Sequence, residues 1–274
     1  MEFPEKLDIL SAEKYILTFE VLDEMYSFSM YDPAEKGSFF YHEIERISGE
    51  DAFSDFENFY YENEFLSNLY RKVFVINNTS GFTFVPTNVF DEKKKNDLLR
   101  FNFSGNEDRV LIQNMRKPEI TILHGMRENV FDFFSRTYIN LHFVHHLSPL
   151  LSYFSEIVHL GNANRLIINM QNKGLDIMYF NPSGDFIFAN HFKYNHLNDA
   201  VYYIFFVWKQ FDLEQLKDFV YVAGNSSQKT DLIKQLQKYV HNVFPVNITP
   251  SDHFLGLNTH HIPFELLSLT LCEL

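Results

Sequence analysis

Cysteine is almost missing: Cys272 is the only one in 274 residues. No intrachain disulfide is therefore available. The thiol lies in the apolar stretch "LSLTLCEL" and reads as a small packed side chain, not a nucleophile. Basic residues are scarce too, with 23 Lys and Arg against 36 Asp and Glu, a formal net charge of −13. Proteins that bind nucleic acid draw much of their affinity from neutralising phosphates, so nucleic acid is not expected as a partner. The longest apolar run, Val201 to Trp208, is too short to span a bilayer. The stretch "MEFPEKLDIL" carries acids where a signal peptide carries positive charge. The expected address is the cytoplasm, without membrane insertion. No low-complexity linker, H-E-x-x-H pair or G-x-S-x-G elbow is found.

What is abundant is apolar and aromatic. Hydrophobic residues make up 46% of the chain, with 31 Phe and 15 Tyr, which excludes a disordered chain and predicts a core filled by aromatic rings. The stretch "ILTFEVLDEMYSFSMYD", from Ile16, aligns without a gap on "LIINMQNKGLDIMYFNP", from Leu166, at an offset of 150. Each reads as two strands about a polar turn, and a third strand follows in each, "GSFFYHEI" and "GDFIFANHF". Next come helical stretches at 53–69 and 197–211, then short apolar strands at 72–77 and 218–225. The order is βββαβ, twice.

After this the halves diverge. The second continues into a helix over 227–240 and a strand-like "FPVNI". The first carries an insert of about 79–150: strands at "FTFVP", "RVLIQNM", "EITILHG" and "NLHFVHH", with helices at "NVFDEKKKNDLLRFNF", "RENVFDFFSRTY" and "SPLLSYFSEIV". The predicted fold class is α/β, with one half over 1–160 and the other over 161–274, meeting at a hinge near Gly161.

Two βββαβ halves, the first with an extra subdomain, resemble the actin-like (ribonuclease H-like) superfamily of sugar kinases, actin, chaperone ATPases and pilus-assembly proteins. The chain also resembles an uncharacterised Bacteroidetes family of that fold, through "FTFVPTNVFDEKKKNDLLRFNF" (82–103) and "IPFELLSLTLCEL" (262–274). The resemblance implies a cleft between the halves and a bacterial protein of undefined role. In nucleotide-binding relatives, a strand of the second half ends in a Gly-Gly turn near the adenosine. Here "VYVAGNSS" supplies Gly224, Asn225, Ser226 and Ser227, with one glycine of the two. A plain strand-to-helix turn, with Ser226 or Ser227 as its cap, has the same residues.

The resemblance also implies an Asp followed two residues later by Gly in each first hairpin, where backbone N–H groups approach phosphate. The first hairpin has Glu20 and Leu22, with Asp23 and Glu24 next; the second has Asn169 and Gln171. Both loops lack the glycine. The turn at Gly224 thus reads as an adenosine loop without partners, and no cofactor is expected. A two-metal nuclease would have Glu20, Asp23, Glu24 and Asp176, but three of these crowd one turn.

Histidines cluster at His142, His145 and His146, and again at His253, His260 and His261. On a strand His142 and His146 share a face that His145 opposes. The spacings match no four-ligand site, so no metal is expected. The expected function is a non-catalytic scaffold with an undefined protein partner. The alternative is a divergent ATPase or kinase using Glu20 and the Gly224 loop. In the aromatic helix at 53–69, Tyr61 and Phe65 are the candidates for its outer face.

Overall fold

The computed structural model describes residues 7–47, 51–103, 109–157, 161–246, 248, 254 and 257–272. The chain divides into two compact units, Met1–Ser148 with Pro250–Leu257, and Pro149–Thr249 with Asn258–Leu274.

In the first unit, β1 (Ile16–Val21), β2 (Tyr26–Tyr31) and β3 (Phe40–Ile44) form an antiparallel meander. On the other side of β1, β4 (Lys72–Asn77) and β8 (Leu141–His145) run parallel to it, giving the order β3-β2-β1-β4-β8. Alternation along the strands sends Leu17, Phe19 and Val21 to one face with Tyr26, Phe28, Met30, Val73 and Val75. Helices α1 (Ala52–Glu62) and α3 (Glu128–Thr137) cover that face with Phe56 and Phe134. Phe19 sits at the centre, its ring 5.7 Å from Phe56, 5.1 Å from Phe134 and 5.7 Å from Tyr138. Burying one such side chain is worth roughly 1.5–3 kcal/mol. The predicted aromatic core is thus found here.

Helix α1 starts at Asp51, whose carboxylate accepts from the Phe53 N–H. It ends early because Asn63 turns its amide back onto the Phe59 carbonyl, and a tight 3-10 turn over Glu64–Ser67 replaces the remaining helix predicted there. Tyr61 points outward, as expected, whereas Phe65 packs against Phe28.

The insert is a separate antiparallel sheet, β5-β7-β6, from β5 (Phe82–Pro86), β6 (Arg109–Asn114) and β7 (Ile120–Met126), with α2 (Lys95–Asn102) packed on it. It is smaller than the sequence reading made it. Helix α3 and strand β8, assigned there to the insert, belong to the main layers of the first unit. The boundary between units falls inside α4 (Leu147–Ile157).

The second unit repeats the pattern. A meander of β9 (Arg165–Met170), β10 (Gly174–Phe180) and β11 (Phe186–Lys193) is followed by α5 (Leu197–Gln210), the parallel strand β12 (Phe219–Ala223), α6 (Lys229–Leu236) and the parallel strand β13 (Asn242–Pro245). The sheet order is β11-β10-β9-β12-β13. Its centre is aliphatic, with Leu166, Ile168 and Met170 meeting Ile204 and Val207 of α5 and Leu232 and Leu236 of α6, while Tyr179, Tyr194 and Trp208 complete the core. The last helix, α7 (Phe264–Leu271), is buried at Phe264, Leu266, Leu267 and Leu269.

The register corrects the sequence alignment by one residue. Glu20 pairs with Ser27, and Asn169 pairs with Asp176. The core-facing trio Leu17, Phe19 and Val21 therefore corresponds to Leu166, Ile168 and Met170, an offset of 149 and not 150. An offset of 150 would set Phe19 on Asn169, which points away from the core. The correspondence also runs further than predicted, since α3 and β8 match α6 and β13. Among the described residues no helix is long and apolar enough to cross a membrane.

Candidate functional site

In the second unit the ends of β9 and β12 meet. Strand β12 stops at Ala223, and Gly224 turns the chain with φ +102°. A Cβ on Gly224 would lie 2.1 Å from the Met170 carbonyl oxygen and 2.5 Å from the Met170 nitrogen, so the position accepts glycine alone. The turn thus rests on the backbone of β9. The Ser226 N–H donates to the Met170 carbonyl at 3.1 Å, and Lys229 Nζ donates to the Gly224 carbonyl at 2.8 Å. Burial lowers the Lys229 pKa. Helix α6 begins at Lys229 and is shorter than the predicted 227–240. Neither serine is its N-cap: Gln228 holds that position, Ser226 Oγ accepts from the Gln228 N–H at 3.3 Å, and Ser227 is exposed. Asn225 Nδ2 donates to the His261 carbonyl at 3.1 Å.

Beside this turn, the hairpin of β9 and β10 carries a buried polar chain. His191 Nδ1 lies 2.8 Å from Asp176 Oδ1, and Asn169 Nδ2 donates to Asp176 Oδ2 at 3.0 Å. The same amide nitrogen reaches Glu265 Oε2 at 3.4 Å, and Gln171 Nε2 donates to Glu265 Oε1 at 2.8 Å. Asn169 and Asp176 are 0% exposed and Glu265 1%. Helix α7 brings Glu265 here because its apolar sides are held inside the unit, with the Phe264 ring stacked on Phe154 at 5.8 Å. A carboxylate in the first turn of a helix also meets the positive end of the helix dipole. The Gln171 N–H is taken by the Gly174 carbonyl at 2.9 Å, so it closes the hairpin.

The equivalent hairpin of the first unit is closed in the same way. The Leu22 N–H donates to the Met25 carbonyl at 3.0 Å. Leu22 lines a cavity of only about 50 Å³ with Asp23, Asn78, Thr79 and Arg127, room for a few waters. Glu20 is 1% exposed and accepts from Ser27 Oγ and Asn78 Nδ2, each at 3.3 Å. Burial, then the charge of Glu20, pushes the Tyr41 phenol far above its ordinary pKa. Asp23 and Glu24 are exposed.

The family model described as "Protein of unknown function (DUF3822)" matches residues 4–243. The chain belongs to this family. Its fold is the actin-like ATPase fold: it superposes with TM-score 0.83 and 26% identity on a Bacteroides thetaiotaomicron protein described as having that fold and unknown function, over 97% of this chain and 99% of that one. A chain of the PilM–PilN type IV pilus biogenesis complex matches with TM-score 0.57 and 11% identity, over 93% of this chain and 97% of that one, a likeness of fold alone. No curated protein matches the chain.

In this DUF3822 protein, Glu20 belongs to the first unit and Gly224–Ser227 to the second. Glu265 is absent from the residues expected at the site, although it carries a sequence signal: one acid inside an otherwise apolar helix, "IPFELLSLTL". His124 is likewise outside the expected histidine clusters; it is fully buried in β7 beside His145, with ring centroids 5.1 Å apart. The expected sharing of a face by His142 and His146 fails because β8 ends at His145; His145 and His146 are both buried and His142 is exposed. His260 and His261 are exposed, and His253 lies outside the described residues. Burial pushes the Cys272 thiol up to about 12, which suits a packed side chain.

Proposed function

We propose that this protein is a non-catalytic scaffold of the bacterial cytoplasm, acting through protein contacts on an actin-like fold whose nucleotide loops now serve its own packing. The observation that carries the reading is Glu265. Its carboxylate takes the side-chain donors of Gln171 and Asn169, at the hairpin where the fold's nucleotide-binding members hold phosphate. A phosphate there would meet two buried carboxylates, Glu265 and Asp176, and like charges in a dry site repel strongly. The closed N–H groups of Leu22 and Gln171 support the same reading, as does Gly224, whose open face is turned onto Met170. The residues present do not fit a nucleoside triphosphate.

A second reading, a divergent ATPase or kinase, is favoured by one observation: Glu20, a buried acid at the end of β1. Its hydrogen bonds to Ser27 and Asn78 suit a strut between strands equally well. A thermal melt in magnesium and ATP decides between them. A ligand at a hundred times its dissociation constant stabilises the native state by about 2.7 kcal/mol. The melt is expected to be unmoved at millimolar Mg-ATP. A dose-dependent rise, with phosphate released over time, would replace the scaffold reading with the enzyme.

A further inference from the structure

Strand β6 is one of the two edges of the insert's sheet, and its Gln113 end lies against β8, where Gln113 Oε1 accepts from the His145 N–H. In the order β5-β7-β6, strand β6 is terminal and, among the described residues, pairs with β7 alone. An edge with unpaired N–H and C=O groups is a template for another strand unless something covers it. Along β6 lies a cavity of about 530 Å³. Four consecutive residues of the strand, Arg109 to Ile112, line it. Successive strand residues point to opposite faces. A cavity that touches all four runs along the strand's edge and not against one face.

The walls have a definite chemistry. On one side α2 contributes Lys95, Leu99 and Arg100; on the other α3 contributes Glu128 and Phe131. Arg109 is already held, its guanidinium 4.1 Å from the Phe131 ring centroid and 3.6 Å from Glu128. Among the described residues, neither Lys95 nor Arg100 has an ion pair. Val110, Leu111 and Ile112 are only half-buried, where strands at the centre of a sheet are closed. Among the described residues, three cations and one acid therefore line an apolar strand edge, in a chain whose net charge is −13.

We propose that this edge binds an extended acidic segment of a partner protein, which adds to β6 as a further strand. Backbone hydrogen bonds along β6 give such a segment its register. Its apolar side chains lie on the face of Leu111 and Phe131, and its intervening acids lie on the opposite face, toward Lys95 and Arg100. A second copy of this chain is the poorer occupant, because pairing β6 with itself would bring two sets of the same cations together. The proposal rests on the scaffold reading for its purpose, but not for its test.

The probe is a synthetic, fluorescein-labelled peptide of alternating Glu and Val, titrated with the full chain and followed by anisotropy. Saturable binding is expected. A Lys-and-Val peptide should bind at least about tenfold more weakly, as should the Glu-and-Val peptide on the Lys95→Glu/Arg100→Glu variant. Both substitutions lie on the partly or fully exposed side of α2, and an unchanged melting temperature shows that the variant folds. N-methylation of alternate peptide bonds should abolish binding in one phase and spare it in the other, a signature that loose charge attraction lacks. Absence of saturable binding, equal binding of the two peptides, or indifference to N-methyl phase would overturn the proposal. So would a preference for oligouridylate or for phosphatidylserine vesicles, or a concentration-dependent dimer lost in the same variant. A chain that binds the peptide and is also stabilised by Mg-ATP would keep the groove and lose the scaffold reading.

Discussion

Among the groups through which acidification should weaken the first unit, His124 is the most deeply buried. The ring is 0% exposed, and its Nδ1 accepts from Asn77 Nδ2 at 2.8 Å. With Nδ1 occupied as acceptor, the ring proton belongs on Nε2, which has no hydrogen-bond partner among the described residues. Burial, then the charge of His146, lowers the His124 pKa to about 3. Unfolded, the imidazole titrates near ~6.5. Below that value the unfolded chain takes up a proton that the folded unit refuses. The stabilisation is thus complete above about pH 6.5 and is lost as the pH falls toward 3. Each pH unit costs about 1.36 kcal/mol, so the loss between pH 7.5 and 5.0 is about 2 kcal/mol. Burial also lowers His42 and His142, so the total drop is not specific and a variant is needed. His124→Gln keeps an acceptor for Asn77 and removes the titration. The measurement is urea-dependent hydrogen exchange of β1 and β7 amides at the two pH values, because the only tryptophan, Trp208, reports on the second unit. The variant should lose about 2 kcal/mol less than the parent on acidification. An equal loss in both proteins would refute the argument.

Gly224→Ala should be more harmful than most glycine substitutions, since the new Cβ meets backbone that cannot swing aside; a melt should report a loss of more than about 2 kcal/mol, and a neutral result would mean that the turn is not pressed onto Met170. Tyr61→Glu should change stability by less than about 0.5 kcal/mol, because that side chain is 71% exposed; unfolding would place it in the core. The half-buried Cys272 thiol should resist iodoacetamide at pH 8 in the folded protein and react faster once denatured, as its raised pKa requires; rapid alkylation of the native chain would show a reactive thiol.

The residues differ in how much they disclose in advance. Both meanders, helix α5 and the strands of the insert were legible because apolar periodicity and polar turns bound them on each side. The offset between the halves was not. Strands β1 and β9 are buried on both faces, so neither alternates, and nothing in the sequence fixes the phase of a one-residue slip. Hydrogen-bond register decides it. The end of α1 depended on a side chain, Asn63, folding back on the Phe59 carbonyl, which propensity does not foresee. At the candidate site the missing glycines at Leu22 and Gln171 were plain. What replaced their ligand was not, since Glu265 is 94 residues from Gln171 and only packing brings the two together. His124 stands alone in "ITILHGM" and carries no spacing signal at all.

The tie between Gln171 and Glu265 also orders events in time. A ribosome adds about 5–20 residues per second, so about 5–20 s separate the synthesis of β9 from that of the carboxylate that closes its polar end. Through that interval the growing chain has an aliphatic sheet with two amides and an aspartate at its rim and no helix to cover them. The second unit can gather its meander early, but its last strand end waits for α7. The polar end of β9 therefore stays without its Glu265 partner until α7 has been made.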